Sequence, residues 1–149
     1  MHWTPNPGGQ RRTIEEAIEI AKRHGAEIAD DVALFEDEWG TLGPETTAAG
    51  SRISKKAGDY VQLSDFVHPV TQKVPFIIRP DVLESDEAIV AVLTHEMYEL
   101  NGIHGMIRKG GMTIEDFGLH TSPGLKGNLH DRAWDLADEA VLRMRGQSK

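Results

Sequence analysis

At 149 residues and 16.5 kDa, with 39% hydrophobic and 27% charged residues, the chain has the size and balance of one globular domain and is too apolar for general disorder. It has no cysteine, which excludes a disulfide scaffold, a thiolate zinc site, an iron–sulfur cluster and a cysteine nucleophile together. Asp and Glu number 24 against 16 Lys and Arg, a net charge of -8, and the basic residues form only isolated pairs (Arg11-Arg12, Lys55-Lys56, Arg108-Lys109), which argues against a nucleic-acid partner and for a protein or peptide.

Residues 1–12, with Thr4-Pro5-Asn6-Pro7-Gly8-Gly9, read as a flexible linker or the seam to a longer protein, and residues 13–149 as a single domain. Thr13 and Glu16 spell a capping box, and Ile14, Ala17, Ile18 and Ala21 share one stripe of a helix that Gly25 ends. Val32 to Phe35, Tyr60 to Leu63 and Val74 to Ile78 are short, β-branched or aromatic, and bounded by Gly, Pro and Asp, as strands are. Pro75 cannot donate to a ladder, so the third strand is expected at a sheet edge or starting late. Gly40 to Ala57 is a long polar loop of small residues, of a length that is commonly functional, and a cover for a substrate groove.

Ser85, followed by Asp86 and Glu87, caps a second helix. Ile89, Val92, Leu93, Glu96, Met97 and Leu100 keep helical spacing in it up to Asn101-Gly102. Its Ala88 to Leu93 run is the longest apolar one, far short of the ~20 residues that span a bilayer. No charged-then-apolar signal segment opens the chain, and no membrane association is expected. A shorter helix starts at Thr113, and Asn128 caps a last one whose apolar face is Ala133, Ala137, Ala140, Val141 and Met144. The fold class is α+β: two long helices plus shorter helices packed on a small, mostly antiparallel sheet.

The chemistry concentrates in Thr94-His95-Glu96-Met97-Tyr98-Glu99-Leu100, an H-E-x-x-E pattern inside the second helix. Residues four apart lie one turn apart on one face, so His95 and Glu99 can aim an imidazole and a carboxylate at one divalent cation. Glu96 borders that site and is placed to take a proton from water. It also falls on the apolar stripe with Leu93 and Leu100, where an unpaired carboxylate is costly. A tightly held metal needs a further ligand, and His130, in the first turn of the last helix, is the candidate, with Asp131 to orient a neighbouring histidine.

His104 and His120 are reserve ligands; His2, His24 and His68 are surface or structural. Asp135, Asp138 and Glu139 read as the wet face of the last helix, and Trp39 and Trp134 as core. No Gly-x-Ser-x-Gly elbow, Walker A loop or zinc deaminase pattern is present.

Thr94 to Leu100 resembles the active helix of the zincin metallopeptidases, which carries H-E-x-x-H. The resemblance implies His95 as first metal ligand and Glu96 as general base. Glu99 stands where the family has its second histidine. Ser85 to Val90 running into His95-Glu96, with Gly127 to Trp134, is similar to the C-terminal toxin domains of bacterial polymorphic toxins. That likeness implies a domain secreted within a larger protein, delivered into another cell and neutralised by an immunity protein.

The leading expectation is therefore a metal-dependent, peptidase-like hydrolase in which His95, Glu99 and His130 hold zinc or another divalent metal and Glu96 activates water. Two alternatives stand beside it. One is a non-catalytic acidic interaction domain whose buried His and Glu pair with each other, and the other is a metal-dependent nuclease toxin.

Overall fold

A computed structural model describes residues 10–44, 46–50 and 53–146. Most of the expected linker, with His2 and Trp3, lies outside the described residues. From Arg11 on, the chain is tied to the domain. Arg11 pairs with Glu36 at 2.9 Å, Arg12 pairs with Asp86 at 2.8 Å, and the Arg12 N–H donates to the Leu83 carbonyl.

Helix α1 (Ile14–Arg23) forms with both halves of its capping box. Thr13 Oγ accepts from the Glu16 N–H at 3.1 Å, and the Glu16 carboxylate accepts from the Thr13 N–H at 2.8 Å. The helix buries Ala17, Ile20 and Ala21, and the chain leaves through Gly25 at φ +102°, a conformation that favours glycine.

The sheet has three strands, β1 (Val32–Glu36), β2 (Ala48–Ala49) and β3 (Val74–Ile78), in the order β1-β3-β2. The α+β class holds, but the sheet is mixed, and its longer pairing is the parallel one. β3 runs parallel to all five residues of β1 and antiparallel to the two of β2. The long segment between β1 and β3 carries the chain back to its starting side, as a parallel pair requires.

β3 is central, not an edge, and the backbone alternation explains how Pro75 fits there. The Val74 N–H donates to Asp31 O, and the Asp37 N–H to Ile78 O, on the β1 side. The Pro75 nitrogen therefore faces the β2 side, where β2 reaches only Ile77 and Ile78. No ladder bond is lost.

Tyr60 to Leu63 is not a strand. Tyr60 makes one isolated bridge to Thr113, the Val61 N–H donates to Met112 O, and a 3-10 turn follows at Leu63–Phe66. The Gln62 N–H bonds the Asp65 carboxylate at 2.7 Å, a local capping arrangement that outcompetes strand pairing.

Helix α2 (Asp86–Gly110) buries every residue from Ala88 to Leu93, so its first half is core on all sides. It passes through Asn101-Gly102 rather than stopping there. Ile103 is buried, Met106 and Ile107 pack on the core, and the cap comes at Gly111 (φ +87°). Helices α3 (Ile114–Thr121) and α4 (Leu129–Met144) begin at Thr113 and Asn128, whose side chains accept from Asp116 N–H and Asp131 N–H. No helix among the described residues is long and apolar enough to cross a membrane.

The long helices α2 and α4 run antiparallel, and four neighbour relations fix their register. The Gly102 backbone lies against Leu129, Glu99 meets His130, His95 meets Trp134 and Glu87 pairs with Arg145. Fully buried Ala133 and Ala137, with nearly buried Ala140, allow the close approach. Trp39, by contrast, is not core: it is 90% exposed. The Asp37 carboxylate accepts from the Thr41 and Leu42 N–H groups at 2.9 Å each, closing a turn that carries Trp39 away from the sheet.

Candidate metal centre

The antiparallel register brings the H-E-x-x-E face of α2 against the first turns of α4. His95 is buried at 2% exposure, and Glu99 and His130 are largely buried beside it. Glu99 Oε2 lies 2.7 Å from His130 Nδ1 and 3.3 Å from His95 Nε2, so one carboxylate oxygen sits between two imidazoles. The two rings are edge to face, with centroids 4.7 Å apart.

One donor atom from each of His95, Glu99 and His130 lies within 4.8 Å of the other two, so the group could hold a metal ion. Tetrahedral zinc, with N and O donors about 2.0–2.2 Å away, separates its ligand atoms by about 3.4 Å. The His95–Glu99 distance already fits. The His130–Glu99 hydrogen bond must open by about 0.7 Å.

Glu96 does not join the three. Its Oε2 is 3.7 Å from His95 Nε2, beyond hydrogen-bonding distance, and its side chain is 17% exposed. Burial, reinforced by the neighbouring Glu99 charge, pushes its carboxyl well above the ordinary carboxylate range. Glu99 is also raised by burial, against which the hydrogen bond and charge of His130 act.

Glu96 and Glu99 open onto a cavity of about 130 Å³ whose remaining wall is mostly apolar, with Phe66, Phe76, Leu100 and Phe117. Gly50, from the long loop, lines this cavity too, and a β-carbon there would lie 2.8 Å from Phe76. One residue of the loop expected to cover a groove thus reaches the cavity.

The other sequence candidates go elsewhere. His104 packs edge-on against Phe66 with centroids 5.2 Å apart; burial, then the nearby Arg108, lowers its basicity, opposed by Asp31. His120 lies on α3, outside the three-residue group. His68 Nδ1 accepts from the Val70 and Thr71 N–H groups, and His24 caps α1, both structural uses. Asp131 does not orient a histidine: its carboxylate accepts from the Gly127 N–H at 2.9 Å and closes the turn into α4. Asp138 is half-buried rather than fully wet.

Trp134 has a role that a core assignment misses. Its ring stacks on His95, with centroids 4.1 Å apart and planes 25° from parallel, which holds the imidazole plane. The signal was its position, four residues after His130 and so on the same face of α4. No protein-family model, no curated protein and no solved structure matches the chain.

Proposed function

We propose that this domain is a metal-dependent hydrolase of peptide-like substrates, with His95, Glu99 and His130 holding a zinc-type ion and Glu96 as general base. The observation that carries the reading is the meeting of His95, Glu99 and His130 beside a separate, desolvated Glu96 that faces a cavity. A zinc-type ion supplies the Lewis acidity that polarises a scissile carbonyl and makes water easier to deprotonate.

The chain's own residues divide the remaining work. Glu99 contributes the negative charge of the cation site. Trp134 fixes the plane of His95. Glu96, with its raised proton affinity, accepts the proton of the attacking water and returns it to the leaving amine. The apolar cavity receives a side chain next to the scissile bond. The likeness of residues 85–90 and 127–134 to polymorphic-toxin domains leads us to propose, further, a toxin domain held in check by an immunity protein.

Elemental analysis of protein purified without added metal, paired with a peptide-library digest of wild type and Glu96→Gln, tests the reading. Stoichiometric zinc or another transition metal, with cleavage that Glu96→Gln abolishes, is expected. Absence of metal, with no thermal shift on adding zinc or a chelator, would overturn it. The 2.7 Å His130–Glu99 bond favours one rival, a non-catalytic interaction domain in which these side chains simply pair.

A further inference from the structure

A second and larger cavity, of about 510 Å³, lies on another face of α2, between that helix, α4 and the turn that follows α1. Its volume falls within the range of small-molecule sites. Its α2 wall includes Thr94 and Tyr98, each one position before a residue of the metal group, so it faces about 100° away around the helix.

Two features make this cavity more than a packing defect. The Thr94 hydroxyl is buried and has no hydrogen-bond partner among the described residues, although a helical threonine ordinarily bonds back to a carbonyl one turn earlier. The cavity is also lined by Arg132 and Arg143, neither of which enters an ion pair among the described residues, in a chain of net charge -8. Among the described residues, Glu27 is the one acid on its wall.

The two guanidinium groups do not share one ligand atom. Eleven residues apart on α4, their backbones are separated by about 16 Å. Arg143 reaches over the turn after α1, its Nη2 lying 3.9 Å from where a Gly25 β-carbon would be. In the antiparallel register, Arg132 falls level with Tyr98, and Leu136 level with Thr94. One end thus offers a guanidinium and a phenol, and the middle an apolar floor of Leu129 and Leu136 with Thr94 on the α2 wall.

We propose that this cavity is a binding site for a small organic anion, one carboxylate or phosphate on an apolar body, with Arg132 and Tyr98 at the anionic head and Thr94 one turn further in. Calorimetry and thermal melts with benzoate, hexanoate and phenyl phosphate test it, with benzyl alcohol and hexylamine as neutral and cationic controls. At least one anion should bind once per chain in the millimolar range or tighter and raise the melting temperature, and the controls should not. Arg132→Gln, at an exposed position, should weaken binding by about tenfold or more, as loss of a charged hydrogen-bonding partner does. Thr94→Val should weaken it less. Lys109→Gln removes the same charge away from the cavity and should leave binding unchanged. No binding by any of the three anions, equal binding by the alcohol or amine, or equal loss in Arg132→Gln and Lys109→Gln would each overturn the proposal. None of these measurements requires a metal or catalytic turnover, so the outcome is separate from that of the hydrolase reading.

Discussion

Replacing Glu96 by Gln should move stability and activity in opposite directions. Glu96 lies on a largely apolar wall, 3.7 Å from the nearest histidine nitrogen, with its proton affinity raised first by burial and then by Glu99. A group protonated in the folded state and ionised in the unfolded state makes stability fall as pH rises from the unfolded value, near 4.5, toward the higher folded one. The penalty is complete once the pH lies above both values. Glutamine keeps the shape and drops the charge. A polar group buried without a hydrogen bond costs about 1–3 kcal/mol in mutational series, and an amide still bears part of that cost. Glu96→Gln should therefore stabilise chelator-treated protein by on the order of 1 kcal/mol at pH 7, a rise of about 2–4 °C in melting temperature. Below pH 4.5 the two proteins should converge, since wild-type Glu96 is then protonated in both states. Hydrolysis by the metal-loaded protein should fall by about 10²–10⁴-fold, the usual share of a general base. Thermal melts by circular dichroism across pH, beside a peptide-cleavage assay, read both effects. A variant less stable than wild type at pH 7, or one that keeps full turnover, refutes the reasoning.

Four further outcomes follow from the packing. His130→Ala should weaken metal binding by more than the roughly 10–100-fold that loss of an outer partner costs, read by competition with a chromogenic chelator. Gly102→Ala gains up to about 1 kcal/mol in helix propensity. Its new β-carbon, however, would lie 2.7 Å from Leu129 Cδ1, so net destabilisation of up to about 2 kcal/mol and weaker metal binding through the adjacent His130 are expected in denaturant titration and chelator competition. Ala137→Leu, at a position with 0% exposure between the long helices, should cost about 1–3 kcal/mol and spread the site, lowering both melting temperature and metal affinity. Trp39→Ser, at 90% exposure, should stay within about 0.5 kcal/mol of wild type in the same denaturation.

Local signals were legible where they are self-contained. The caps at Thr13, Ser85, Thr113 and Asn128 each start a helix, because a side-chain oxygen and an N–H three residues on need nothing else. Signals that depend on a neighbour were not. Asn101-Gly102 reads as a helix end, yet Asn101 donates to Glu27 O at 2.9 Å and Gly102 makes room for Leu129, so both serve contacts across the fold. Pro75 reads as an edge residue because strand composition does not show how short β2 is. Trp39 and Trp134 are the same residue type with opposite fates, one lifted out by the Asp37 turn and one laid on His95. The pairing of His95 with Glu99 follows from helical spacing, whereas the arrival of His130 depends on the α2–α4 register, which the alanine stripe permits but does not announce.

The metal group and the hydrogen-bonded network share the same three side chains, so the distinction rests on the fourth. In a purely structural network Glu99 already accepts from His130 at 2.7 Å and approaches His95 at 3.3 Å. Glu96 makes no hydrogen bond to it. It is out of bonding range of His95, raises the cost of the Glu99 charge, and would be better replaced on that apolar wall by leucine or glutamine. A carboxyl whose ionised form is disfavoured by burial, facing a cavity and adjacent in sequence to a candidate ligand, has a physical rationale in accepting a proton there. The burial of Glu96 is thus what favours the proposed hydrolytic site over a purely structural His/Glu cluster.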